Sequence, residues 1–289
     1  MKIDSHVHIT PPDIIADWEK YAKKEPYFAM LSNSKHNKFA SAQDVIAMLE
    51  KNNFDMAVVF GFAFRDLGLC RYVNDYVIES IKKFPEKLVG FAVVPNDKGA
   101  ANEIERCYNA GLKGVGELFL EGQGIIPEDK KETAALAGAC LELDIPLLLH
   151  ANEQVGRYYA GKSGVSLKQI ETFAANNPDL KIILAHFGGG LLFYEAMGEI
   201  KEKFCNVYYD TAAAPFLYDS RVYRVVKALG LCEKIIFGSD FPLLSPSRYF
   251  ADIEACDLSD NEKQLLLGGN IKRILGERRE LPNCTHNSV

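Results

Sequence analysis

The sequence predicts an α/β chain closed into a (β/α)8 barrel, distorted by a long insertion after the first strand. Three observations predict it. Short β-rich apolar runs alternate eight times with helical patterns. Several runs, such as Ala57-Val58-Val59-Phe60 and Lys181-Ile182-Ile183-Leu184-Ala185, are apolar almost throughout, as strands covered on both faces are. Finally, ionisable residues stand where strands run out, on the first strand and the last alike, and these meet only if the sheet closes. An open doubly wound sheet is the competing architecture, but no GxGxxG follows the first strand.

The elements follow in order. A strand over 2–8 ends in Asp4-Ser5-His6-Val7-His8, and the segment from Thr10 to Ala40 then departs from a minimal barrel. That segment carries Pro11, Pro12, the single tryptophan Trp18, Tyr21, Tyr27 and Phe28. A long aromatic loop above a catalytic face forms a lid or pocket wall; the alternative is a helical excursion that caps the barrel and never meets substrate. Ser41 opens Ser-Ala-Gln-Asp, an N-cap for a helix over 41–53 with apolar spacing at Val45, Met48 and Leu49. Strands at 55–60, 87–93, 113–118, 145–150, 181–185, 206–210 and 234–239 alternate with helices at 70–84, 98–110, 129–143, 166–176, 190–203 and 219–229. Gly111 and Pro178 are stop signals, and a last helix covers 260–276. The barrel domain is thus expected over 1–276, with 10–40 as its lid-like insertion and 277–289 as a polar tail.

Composition bounds the function. The 289 residues hold 48% hydrophobic and 25% charged side chains, ordinary for a globular chain with a sizeable core. A net charge of -6 argues against a general nucleic-acid surface, yet leaves room for an anionic small molecule held by one or two arginines. The seven cysteines are odd in number and form no CxxC pair, which points to reduced thiols. No apolar signal region follows Met1, and no apolar run reaches the ~20 residues of a membrane helix. A cytoplasmic location is the expectation.

The chemistry lies at the strand ends. Four of the six histidines, His6, His8, His150 and His186, occupy them, together with Glu117 in Gly-Val-Gly-Glu and Asp240 in Phe-Gly-Ser-Asp. Ionisable groups after apolar strands are costly unless something uses them. His6 and His8, two apart on a strand, point the same way, and imidazole is a donor for zinc and its neighbours. A lone HxH pair is a weak signal; the joint pattern is strong and points to a divalent ion. Gly188-Gly189-Gly190 lets the backbone approach a ligand closely, ahead of a helix N-terminus that suits an anion, although tight turns need glycine anyway.

These motifs, with His186-Phe-Gly-Gly and Gly238-Ser-Asp-Phe-Pro, resemble the amidohydrolase superfamily from Asp4 to about Asn270. The resemblance is to its amidohydrolase-2 branch, which includes aminocarboxymuconate-semialdehyde decarboxylase and pyrone-dicarboxylate lactonase. It implies one or two metal ions per chain at the barrel mouth, zinc first and manganese as a substitute. His6, His8 and Asp240 are then ligands, His150 a ligand of the same or a second ion, and His186 either a second-ion ligand or the group that orients water. Asp240, otherwise an N-cap, also takes a proton from bound water. Glu117 resembles the glutamate that bridges two ions in some relatives; otherwise it is a salt-bridge partner of an arginine.

Substrate contacts are expected from loops after strands: Phe62, Phe64 and Arg65, then Asn152, Glu153, Arg157, Tyr158 and Tyr159. Arginine with aromatic neighbours suits a planar carboxylate, although a lone arginine is more often a solvated charge. Asp210 reads as support for a histidine. The resulting expectation is a metal-dependent hydrolase of an amide, lactone or ester of a small organic acid. Its alternative is a non-oxidative decarboxylase or hydratase on the same site. Homodimers or larger homo-oligomers are common among relatives.

Overall fold

The computed structural model describes residues 1–35 and 38–276. The polar tail expected over 277–289 lies outside the described residues. Eight parallel strands run β1 (Ile3–His8), β2 (Met56–Phe60), β3 (Leu88–Gly90), β4 (Val115–Leu118), β5 (Leu147–Leu149), β6 (Ile182–Leu184), β7 (Val207–Asp210) and β8 (Ile235–Ile236). They form two arcs, β1–β3 and β4–β8, each paired in sequence order. Two seams close the arcs into a barrel. At one, Ala92 bridges Val115, with the Ala92 N–H donating to Gly114 O at 2.9 Å. At the other, Val7 bridges Phe241, and the Ser5 and His8 N–H groups donate to Phe237 O and Phe241 O, each at 2.8 Å.

Burial explains the nearly unbroken apolar runs. Ala57 to Phe60, Leu147 to Leu149 and Ile182 to Leu184 are buried, between the barrel interior and the helices outside. A fully buried Val, Leu or Ile contributes about 1.5–3 kcal/mol, so these strands carry much of the hydrophobic stabilisation. The outer helices include α4 (Ala42–Asn52), started by the expected Ser41 cap with Asp44 returning the bond, α5 (Leu67–Lys83), α6 (Ala100–Asn109), α7 (Lys130–Glu142) and α8 (Leu167–Asn176).

The segment after β1 folds into three short helices, α1 (Pro12–Ala16), α2 (Trp18–Ala22) and α3 (Pro26–Ser32). Tyr27, Leu31 and Lys35 from it wall the cavity over the strand ends. Two expected helices differ. The stretch expected as a helix from 190 is preceded by a left-handed run, His186 to Gly190, all at positive φ; a 3-10 turn then runs through Ala196, and α-helix is confined to Gly198–Lys203. The glycines therefore lead into a 3-10 turn rather than straight into an α-helix N-terminus. The final helix is interrupted by a wide turn over Leu265–Gly269, where Leu266 O accepts the Phe237 N–H at 2.9 Å. The six described cysteines are free, and among the described residues no helix is long and apolar enough to cross a membrane.

Candidate metal centre

Seven residues from six strand ends, or the turns just past them, converge on the barrel mouth. His6 and His8 come from β1, Glu117 from β4, His150 and His186 from the turns after β5 and β6, Asp210 from β7, and Asp240 from the turn after β8. The sequence-predicted donors therefore share one place. They fall into two groups whose ligand atoms lie within 4.8 Å of one another: His6, His8 and Asp240; and Glu117, His150 and His186.

Glu117 faces both. Its Oε2 lies 3.5 Å from His6 Nε2 and 3.4 Å from His8 Nε2, while Oε1 lies 3.0 Å from His150 Nδ1 and 3.5 Å from His186 Nε2. Asp240 Oδ1 completes the first group at 3.8 Å from His6 Nε2 and 3.5 Å from His8 Nε2. Among the described residues no arginine pairs with Glu117, whose neighbours are the four histidines, so the salt-bridge alternative finds no partner there.

Supporting groups fix how the rings present themselves. His6 Nδ1 lies 2.8 Å from Asp210 Oδ2. An ionised carboxylate only accepts, so the ring proton sits on Nδ1 and the Nε2 lone pair faces the cluster. His186 Nδ1 is likewise held at 2.9 Å by Ala212 O, which turns its Nε2 toward Glu117. Asp210 Oδ1 accepts from the N–H groups of His186 at 3.0 Å and Ala212 at 2.9 Å, so one aspartate sets two strand ends. Asp4 does the same across the β1–β8 seam, accepting from Ser239 N–H at 2.9 Å. Burial pushes its carboxyl up to about 7, against the bonds from Ser239.

The donor set fits a divalent cation. His6 Nε2 is buried and lacks a hydrogen-bond partner, although it faces two carboxylate oxygens. Lone pairs and carboxylates converging on one point repel unless positive charge lies between them. In the ion-free protein that charge is a proton. Burial alone would lower His6, but Asp210 and Glu117 drive it well above the usual imidazole range. Burial likewise opposes His186, and Glu117 pushes it up to about 9. Burial raises and His6 lowers Glu117, with a net fall well below the carboxylate range. His150 goes the other way, lowered by burial.

Backbone strain accompanies the site. His186 and Asp240 have φ of 58° and 62°, a region that costs a non-glycine residue about 1–2 kcal/mol. In the same run Gly189 could carry no side chain, since a Cβ would lie 2.4 Å from the Asn152 carbonyl. The glycines thus serve close packing of the β5 and β6 loops.

A cavity of about 740 Å³ opens above the donors. Phe62 stacks on His8 with ring centroids 4.9 Å apart, and Phe119 stacks on His150 at 3.7 Å. Of the expected substrate contacts, Phe62, Glu153, Arg157, Tyr158 and Tyr159 line this cavity. Three others do not. Phe64 turns inward and packs on Phe28 at 5.0 Å, fully in the core. Arg65 points outward, its N–H bonded to Glu25 at 2.9 Å and its guanidinium beside Gly124. Asn152 is buried and holds the following loop, its Oδ1 accepting from Ser163 N–H at 2.8 Å. In each case the loop was located by sequence, but the alternation of directions along it was not. Phe119 was missed, yet it lies two residues beyond Glu117, and strand alternation puts both on one face. Lys35 and Lys38 carried no such signal.

A closed parallel barrel with histidines and carboxylates gathered at the carboxyl ends of its strands defines a metal-dependent barrel enzyme. The particular family follows from comparison: the amidohydrolase family profile matches residues 3–276, and the chain belongs to that family, in its amidohydrolase-2 branch. It is 24% identical to 2-amino-3-carboxymuconate-6-semialdehyde decarboxylase of Dictyostelium discoideum, across 96% of this chain and 92% of that protein. Its fold is similar to 5-carboxyvanillate decarboxylase of Novosphingobium aromaticivorans, solved with manganese and 4-hydroxy-3-methoxy-5-nitrobenzoic acid (TM-score 0.71, 14% identity, 95% and 96% of the two chains). It is also similar to a probable 2-pyrone-4,6-dicarboxylic acid hydrolase of Acinetobacter baumannii, solved with citric acid (TM-score 0.65, 17% identity, 96% and 99%). Decarboxylases outnumber hydrolases here, which favours the alternative over the hydrolase first expected from the sequence.

Proposed function

We propose that this chain is a metal-dependent carboxy-lyase that removes CO2 from a small planar, conjugated acid. The observation that carries the reading is the stacking of Phe62 and Phe119 on the donor rings His8 and His150. Both rings also line the cavity, so the reacting group would lie beside flat apolar side chains next to the donors. A localised carboxylate is poorly solvated there, whereas the delocalised charge left as CO2 departs suffers less. The decarboxylase that resembles this chain over nearly its full length supports the same reading.

In this reading His6, His8 and Asp240 hold one divalent ion, and Glu117, His150 and His186 hold a second or assist the first. When bound, the metal supplies Lewis-acid stabilisation of negative charge on the substrate's oxygens. Manganese and zinc both suit a mixed imidazole and carboxylate set. The bond between the ring and the carboxyl carbon breaks, its electron pair stays on the ring carbon, and that carbon takes a proton as CO2 leaves. Asp240, whose side chain is 12% exposed toward the cavity, gives that proton and regains it from solvent. In a one-ion form His186 remains available to hold a proton against the substrate; in a two-ion form it is a ligand. Arg157, at the cavity wall, orients the acid.

One observation favours a second reading, hydrolysis. Glu117 presents one oxygen to each donor group, so the two groups could hold one cation each, and such a pair would supply activation of water as a nucleophile. The deciding assay incubates manganese- and zinc-loaded protein with carboxyl-13C hydroxybenzoates and unsaturated diacids, and separately with lactones, esters and N-acyl acids. Release of 13CO2 is expected. Cleavage of a lactone, ester or amide with no CO2 from any acid establishes hydrolysis instead.

A further inference from the structure

Beside the cavity lies an annex of about 360 Å³ that shares Lys35, Lys38, Phe216 and Leu243 with it and is completed by Leu244, Ser245 and Arg248. Among the described residues its charges are all of one sign, in a chain whose net charge is -6. Elsewhere arginines pair: of the eight described, Arg71, Arg106, Arg221, Arg224 and Arg273 reach a carboxylate. Three remain, Arg65, Arg157 and Arg248, and two of these line the paired cavities. Lys35 and Lys38 form no ion pair among the described residues either, unlike Lys168, Lys203 and Lys263. Like charges gathered without counter-charges repel, and an anion relieves that cost. The floor between annex and donors is apolar, Phe216 and Leu243.

We infer that the annex is a second anion subsite, and that the substrate is an elongated molecule with an anionic group at each end. One carboxylate lies at the donor cluster, an apolar spacer crosses Phe216 and Leu243, and a second carboxylate or a phosphate meets Lys35, Lys38 and Arg248. This rests on the proposed reading for the first end only; the annex itself stands on its own residues.

The test is calorimetric binding to the manganese-loaded full chain. Three probes share a benzoate head: 4-propylbenzoate, 4-(3-carboxypropyl)benzoate and 4-(3-phosphonopropyl)benzoate. A fourth, 4-phenylbutanoate, carries the tail charge alone. The native protein is expected to bind at least one charged-tail probe about 10-fold more tightly than the neutral-tail one, the lower end for partly exposed charge-assisted bonds. K35Q/K38Q/R248Q should erase that preference while keeping 4-propylbenzoate affinity, metal content and melting temperature. Preference for the phosphonate assigns a phosphate ester, and preference for the carboxylate a diacid. Equal binding of charged and neutral tails by the native protein, or a preference that survives the triple substitution, overturns the inference. Binding of 4-phenylbutanoate that is lost in the variant upholds the annex even where no acid releases CO2, so the two proposals fail separately.

Discussion

Asp210→Asn perturbs the centre without touching a proposed ligand atom. Asp210 Oδ2 accepts from His6 Nδ1 at 2.8 Å, and Oδ1 accepts two N–H groups, from His186 at 3.0 Å and Ala212 at 2.9 Å. Asparagine has one acceptor end and one donor end. If its oxygen stays on the two backbone groups, its NH2 faces His6 Nδ1 and forces the ring proton onto Nε2, removing the lone pair aimed at the ion. Loss of such an orienting partner costs 10–100-fold in metal affinity, about 1.4–2.8 kcal/mol. If the amide flips, the ring keeps its tautomer but two buried N–H groups face a donor, at about 1–3 kcal/mol each. One of the two measurements must therefore move. Competition with a chromophoric chelator reads the first, and urea unfolding of the metal-free protein reads the second. Native affinity within threefold together with native stability would refute the reasoning.

Three further outcomes follow from the same geometry. Glu117→Gln should lower the ions bound per chain, counted by elemental analysis, if both oxygens serve ions; an unchanged count assigns Glu117 to positioning His150 and His186. Gly189→Ala adds a Cβ 2.4 Å from the Asn152 carbonyl at φ of 59°, so overpacking and left-handed strain together should cost about 2–5 kcal/mol. Gly138→Ala, inside α7 with nothing within 4 Å, should instead stabilise by up to about 1 kcal/mol, and a melting experiment showing the reverse order sinks the packing argument. In the metal-free protein His186 is raised to about 9 by Glu117 against its burial, so its stabilisation is full below the unfolded value near 6.5 and is lost as pH rises through 9. Metal affinity should climb over that same window, because each ion displaces protons; affinity flat from pH 6.5 to 9 contradicts it.

The sequence revealed the barrel and the donors for the same reason: both repeat. Strand periodicity and an ionisable residue at the end of six of the eight runs are local signals that recur along the chain, and closure brings them together. The direction of single side chains in a loop has no such repetition. Phe62 faces the cavity while Phe64 packs on Phe28, and nothing in Phe-Ala-Phe-Arg distinguishes them before tertiary contacts exist. Likewise Gly188-Gly189-Gly190 was legible as a tight place but not as a left-handed run, because the constraint comes from Asn152 in the loop after β5. Lys35, Lys38 and Arg248 are ordinary surface charges until folding puts residues some two hundred apart around one hollow.

The two seams of the barrel give the centre a mechanical role. β1–β3 contributes His6 and His8, while β4–β8 contributes Glu117, and the turns beyond its strands contribute His150, His186 and Asp240. The arcs themselves join through isolated bridges rather than extended ladders. An ion gripped from both sides is a rivet across the join, so withdrawing it should loosen the edges before the arcs. Amide exchange at Ser5, His8 and Asp240 would then quicken on chelation well ahead of that at Leu148 or Ile183.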